Sequence, residues 1–96
     1  MIALAANMRA KAGKEEELAA VMSGLVKAVR AAEPGALAYT LHRSLKDPRA
    51  FLVYEKYRDQ AALNAHLTSA HFQEASRKLK DLVDGAPGLE MFEVVE

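Results

Sequence analysis

Leu18, Val21, Met22, Leu25, Val26 and Val29 stand at i, i+3, i+4, i+7, i+8 and i+11, and no other feature constrains the fold of this chain as much. Side chains at that spacing share one stripe of an α-helix, which must be buried against another element. Glu15, Glu16 and Glu17 open the segment, where the positive end of the helix dipole favours acids, and Glu33-Pro34-Gly35 closes it. On either side the period changes from that of a helix to two. Upstream, residues 2–9 put Ile2, Leu4, Ala6 and Met8 on one face of a strand and Ala3, Ala5, Asn7 and Arg9 on the other. Downstream, strands over 36–44 and 50–57 flank the turn Lys46-Asp47-Pro48-Arg49 and predict a hairpin. Asp59 is placed to cap a short helix over 60–66. Thr68 or Ser69 is placed to cap a second over 70–83, with Phe72, Ala75, Leu79, Leu82 and Val83 as its apolar face. Gly85, Pro87 and Gly88 end that helix, and a last strand is predicted over 89–95.

The order β-α-β-β-α-β is that of an α+β, ferredoxin-like split sheet. With 96 residues, the chain is expected to form one domain over 1–96. Helices in such a fold cover one face of the sheet. The strands, however, are apolar on both faces: Phe51 and Val53 against Leu52 and Tyr54, Leu89 and Met91 against Phe92 and Val94. A second face this apolar is seldom left wet, so a homodimer is expected.

The charge balance narrows the partners. Thirteen Lys plus Arg match thirteen Asp plus Glu, and no basic stripe is present, so no nucleic-acid partner is expected. The absence of cysteine excludes disulfides, thiolate metal sites and a cysteine nucleophile, and it fits a reducing cytoplasm. Met1 to Ala6 are mostly apolar, yet no basic segment precedes them and Asn7 and Arg9 interrupt the run. No stretch approaches the roughly 20 apolar residues of a membrane span. The expectation is a cytoplasmic protein acting on a small molecule, with no membrane partner.

A few polar residues stand out from these patterns. Asn7 is an amide among alanines, either a polar residue near a strand rim or a donor and acceptor for a ligand oxygen. His66 and His71 lie five residues apart at the junction of two helices. That spacing is neither i, i+3 nor i, i+4, so no metal is expected on a shared helical face; capping or hydrogen bonding is the ordinary role of such histidines. His42 lies between Thr40 and Ser44 on the second strand. Glu55 and Tyr57 share a strand face with Phe51 and Val53, Glu55 being either a site carboxylate or a partner of Arg43 across the hairpin. Ser76 stands one turn from Phe72, where bulk would be expected, and leaves either close packing or a cavity wall. There is no Gly-rich phosphate loop and no nucleophile elbow.

Taken together, the segments Glu33-Pro34-Gly35-Ala36-Leu37-Ala38-Tyr39, Phe51 to Asp59, Ala62-Leu63 and His66-Leu67-Thr68-Ser69-Ala70-His71-Phe72 resemble the antibiotic biosynthesis monooxygenase superfamily. The nearest look is to its quinol monooxygenase-like and autoinducer-2 phosphate-processing branches. The resemblance implies a dimeric α+β barrel and, in the oxygenases, oxidation of a small aromatic by O₂ without metal, flavin or other cofactor. It implies Asn7, His66 and His71 as catalytic residues, with His42, Phe51, Glu55, Tyr57, Phe72 and Ser76 around the substrate. A haem-degrading branch carries an Asn on the first strand, a Trp and an axial His. Asn7 matches the first, but His66 and Ser76 stand at the other two positions, and Tyr57 replaces a common tryptophan.

Three functions compete on this reading: a cofactor-independent monooxygenase, a non-redox isomerase or lyase using the same histidines, and a non-catalytic dimeric binding protein. Convergence of Asn7, His66 and His71 on one cavity is the feature that favours an enzyme.

Overall fold

In a computed structural model of residues 1–96, β1 (Ile2–Arg9) leads into α1 (Glu15–Ala32). There follow β2 (Ala36–Arg43), β3 (Ala50–Tyr57), α2 (Gln60–Leu67), α3 (Ala70–Leu79) and β4 (Gly88–Glu93). The strands form one antiparallel sheet in the order β2-β3-β1-β4, the ferredoxin-like topology expected from the periodicities. No helix is long and apolar enough to cross a membrane.

The apolar stripe of α1 settles onto this sheet. Leu18, Met22, Leu25, Val26 and Val29 are buried and join Tyr39, Phe51, Val53, Ala75, Leu82 and Val83 in the main core. Burying each of the larger aliphatic side chains stabilises the fold by about 1.5–3 kcal/mol. Cross-strand register shows which strand residues face the helices. Leu4 pairs with Glu55, Ala6 with Val53 and Met8 with Phe51 across β1–β3, while Tyr39 pairs with Glu55 across β2–β3. The alternate residues, among them Ala3, Ala5, Asn7, Leu52, Tyr54 and Phe92, lie on the open face by the period-two rule.

Asp59 caps α2 by accepting the Ala62 N–H at 2.9 Å. Ser69 caps α3 by accepting the Phe72 N–H at 3.2 Å, and its hydroxyl donates to the His66 carbonyl at 2.7 Å. One serine thus closes one helix and opens the next, which sets the angle of the corner between them.

The predicted helix over 70–83 stops earlier, at Leu79. Its last apolar residues remain buried but serve another element. Val83 makes an isolated bridge with Ala10, Lys11 N–H donates to Leu82 O at 2.8 Å, and Asp84 N–H donates to Arg9 O at 2.7 Å. Pairing with the end of β1 replaces a further helical turn. The other boundaries fall within two residues of expectation, and β2 carries a register irregularity between Ala36 and Ala38.

Candidate active site

The turn that ends α1 carries the first component. Glu33 is the C-cap, its own N–H donating to Val29 O at 2.9 Å. A carboxylate there faces the negative end of the helix dipole, an unfavourable place unless a positive or donor group meets it. Two such groups do. His66 Nδ1 lies 2.9 Å and His71 Nε2 2.5 Å from the same oxygen, Glu33 Oε2. The Glu33 side chain is 9 % exposed, His66 1 % and His71 23 %. The other carboxylate oxygen, Oε1, is buried without a hydrogen-bond partner.

His66 comes from the last turn of α2 and is packed among aromatic rings. The centroids of Phe72, Tyr39 and Tyr57 lie 4.8, 5.2 and 5.5 Å from its own. With Nδ1 turned to Glu33, Nε2 makes no hydrogen bond within the protein. His66 lines a cavity of about 200 Å³ between sheet and helices, together with Tyr39, Glu55, Phe72 and Ser76 among mostly aliphatic neighbours. The exposed lining residues Leu67, Pro87, Gly88 and Leu89 mark its mouth. Such a space, apolar with a few polar groups, suits a small ring bearing one or two oxygens.

Glu55 brings a carboxyl into that apolar wall. Burial pushes its pKa above the ordinary carboxylate value, partly opposed by the Tyr57 hydroxyl, which donates to Glu55 Oε1 at 2.6 Å. Burial likewise raises the Tyr39 and Tyr57 phenols, with the nearby acids adding to the effect, so both stay protonated.

Of the residues singled out in the sequence, His66, Glu55, Phe72 and Ser76 line the cavity. Tyr57 is fully buried behind Glu55. His71 lies on the far side of Glu33 and lines an outer hollow with Glu33, Arg58 and Ser69. Asn7 does not join them, and the expected three-residue convergence fails. Ala6 and Met8 line the cavity, so alternation turns Asn7 to the other side, where it is exposed and borders a shallow hollow with Arg9, Asp84 and Gly88. His42 is also exposed, its Nδ1 3.3 Å from Leu52 O on the edge hairpin, and does not line the cavity. Phe51 is buried in the core beneath the Arg43 guanidinium, 4.7 Å from its ring centroid, and does not line the cavity either. Arg43 pairs with Glu16 at 3.2 Å rather than with Glu55.

Glu33 and Tyr39 were not singled out for chemistry in the sequence. The signal for Glu33 was an acid at the wrong end of a helix. Tyr39 had only its place opposite Glu55.

The chain is similar to proteins of one family. A model described as antibiotic biosynthesis monooxygenase matches residues 1–78. YcnE of Bacillus subtilis, which carries a monooxygenase name, is 36 % identical over 83 residues, 86 % of this chain and 86 % of that one. A Synechocystis protein, sll1783, is 28 % identical over 95 residues, and the chain spans 64 % of its length. The crystal structure of PA3566 from Pseudomonas aeruginosa superposes with a TM-score of 0.91 at 32 % identity, covering 99 % of this chain and 94 % of that one. A structure of the same family description from Caulobacter crescentus CB15 gives 0.94 at 32 % identity, covering 99 % and 90 %.

Proposed function

Because this chain belongs to the antibiotic biosynthesis monooxygenase family, we propose that it oxidises a small quinol, phenol or anthrone-type aromatic with O₂ in the cavity between sheet and helices. The observation that carries this reading is the setting of His66. Its Nδ1 is held by the buried Glu33, and its other nitrogen is left for a guest in a cavity that also presents Glu55 and Tyr39. A carboxylate behind one imidazole nitrogen fixes the tautomer and leaves the lone pair of the other to accept a proton from a guest.

For a quinol the step balances without a cofactor. His66 takes the phenolic proton, and the phenolate passes one electron to O₂. The resulting radicals join in a carbon–oxygen bond, giving a hydroperoxide. Loss of the proton on that carbon, with cleavage of the O–O bond, leaves a new carbonyl and releases water. Hydroquinone plus O₂ thus becomes hydroxyquinone plus H₂O. The apolar walls favour this course by excluding water from the radical pair. The protein would work as a homodimer in the cytoplasm, paired through the open face of the sheet.

The test is O₂ uptake with a panel of hydroquinones and anthrones, on chelator-treated wild type and His66→Gln. Uptake above the protein-free rate that survives chelation and falls roughly 100-fold or more in the variant is the expected result, since a positioned base contributes about 10²–10⁴. No uptake across the panel sinks the oxygenase reading and leaves isomerisation or binding in the same cavity.

A further inference from the structure

Glu33, His66 and His71 offer one carboxylate and two imidazole nitrogens, and their ligand atoms all lie within 4.8 Å of one another. We propose that these three side chains form a site for a borderline divalent transition ion, Zn²⁺ foremost, entered from the outer hollow and sharing only His66 with the substrate cavity.

The donor set is the first argument. Two imidazoles and a carboxylate suit Zn²⁺ and its neighbours rather than Mg²⁺ or Ca²⁺, which favour oxygen alone. Metal–ligand bonds of about 2.0–2.2 Å place tetrahedral donors roughly 3.3 Å apart. His66 Nδ1 and His71 Nε2 now stand 2.9 and 2.5 Å from Glu33 Oε2 and within 4.8 Å of each other, so the carboxylate must withdraw by less than about 1 Å and the imidazoles adjust to roughly 3.3 Å apart to open the centre.

Glu33 also carries an orphan oxygen. Both histidines crowd onto Oε2 while Oε1 is buried with no partner. An unsatisfied buried acceptor is costly, and hydrogen bonding among these three residues leaves it so. A cation that engages the carboxylate through both oxygens removes the cost.

Access and rigidity complete the case. Glu33 and His71 line the outer hollow with Ser69 and Arg58, so an ion and its remaining water can enter there. The two histidines sit on different helices, and Ser69 holds the corner between them. The five-residue spacing excludes a pair on one helix, but it does not exclude a pair across a corner. An ion on Nδ1 leaves Nε2 of His66 carrying its proton. If the proposed function holds, the ion therefore slows turnover by removing the base.

The test needs no substrate. The metal-stripped full chain is titrated with Co²⁺ and followed by visible ligand-field absorption, with Zn²⁺ as competitor, for wild type, Glu33→Gln, His71→Ala and His42→Ala. Expected are one ion per chain, displacement by Zn²⁺, and affinity lower by roughly 100-fold or more in the first two variants, exceeding the typical cost of losing a supporting residue. His42→Ala should match wild type. Absence of a visible band, or unchanged affinity in folded His71→Ala, overturns the site. Should a variant unfold, ring-proton NMR of wild type decides: Zn²⁺ must shift His66 and His71, and a shift confined to His42 refutes the proposal.

Discussion

A Cβ added to Gly35 would come within 2.5 Å of the Ala62 Cβ. The start of β2 therefore lies directly against α2, and only glycine permits that approach. The contact brings the Glu33 turn to the helix that carries His66, and Arg58 N–H donating to Gly35 O at 2.9 Å ties it further. Gly35→Ala should destabilise the fold by about 1–3 kcal/mol, the usual cost of forcing a methyl into a packed site. Urea denaturation gives the value, and a change within 0.5 kcal/mol would show that the backbone yields freely there.

Ser76 sets the free volume of the cavity from the α3 side. Ser76→Leu should fill that space without unfolding the chain, because apolar neighbours surround it. Turnover of any substrate found for wild type should fall at least tenfold, mostly through KM, while thermal stability stays equal or rises. Unchanged kinetics would place the substrate elsewhere.

Glu55 makes stability depend on pH. Its folded pKa lies above its ordinary value of 4.5 because burial penalises the charged form. The folded state thus holds the proton more tightly than the unfolded chain. This carboxyl disfavours folding increasingly as pH rises from about 4.5 through its folded pKa. Glu55→Gln keeps an acceptor for the Tyr57 hydroxyl and has no charge to bury. Its stability relative to wild type should therefore be near parity at pH 4 and improve as pH rises to neutrality. Thermal melts of both proteins across that range measure it, and a constant difference would contradict the assignment.

The open face exposes Tyr54 and Phe92 beside Leu52 and the alanines of β1. On the proposed pairing, wild type should sediment as a dimer and the double variant Tyr54→Lys, Phe92→Glu as a monomer. Monomeric wild type at micromolar concentration would remove the pairing from the proposed function.

The order of elements was legible because each rests on a local period: the α1 stripe, the alternation in β1, the capping residues Asp59 and Ser69. The end of α3 was not. Leu82 and Val83 fit a helical stripe equally well, and only the distant Ala10 draws them into extended pairing. The site was legible residue by residue but not as an arrangement. Glu33 lies 33 and 38 positions from the histidines it joins, a separation no periodicity reports. Asn7 was grouped with the histidines on its polarity, but Ala6 and Met8 occupy the inward positions and Asn7 does not line the His66 cavity.

The cavity's polar wall and its mouth come from separate stretches of chain. Tyr39, Glu55 and His66 belong to β2, β3 and α2, whereas Pro87, Gly88 and Leu89 arrive with the final strand. Changes in that closing segment could retune which molecules are admitted while the acid–base groups keep their positions. A fold divided in this way can alter its diet without relearning its chemistry.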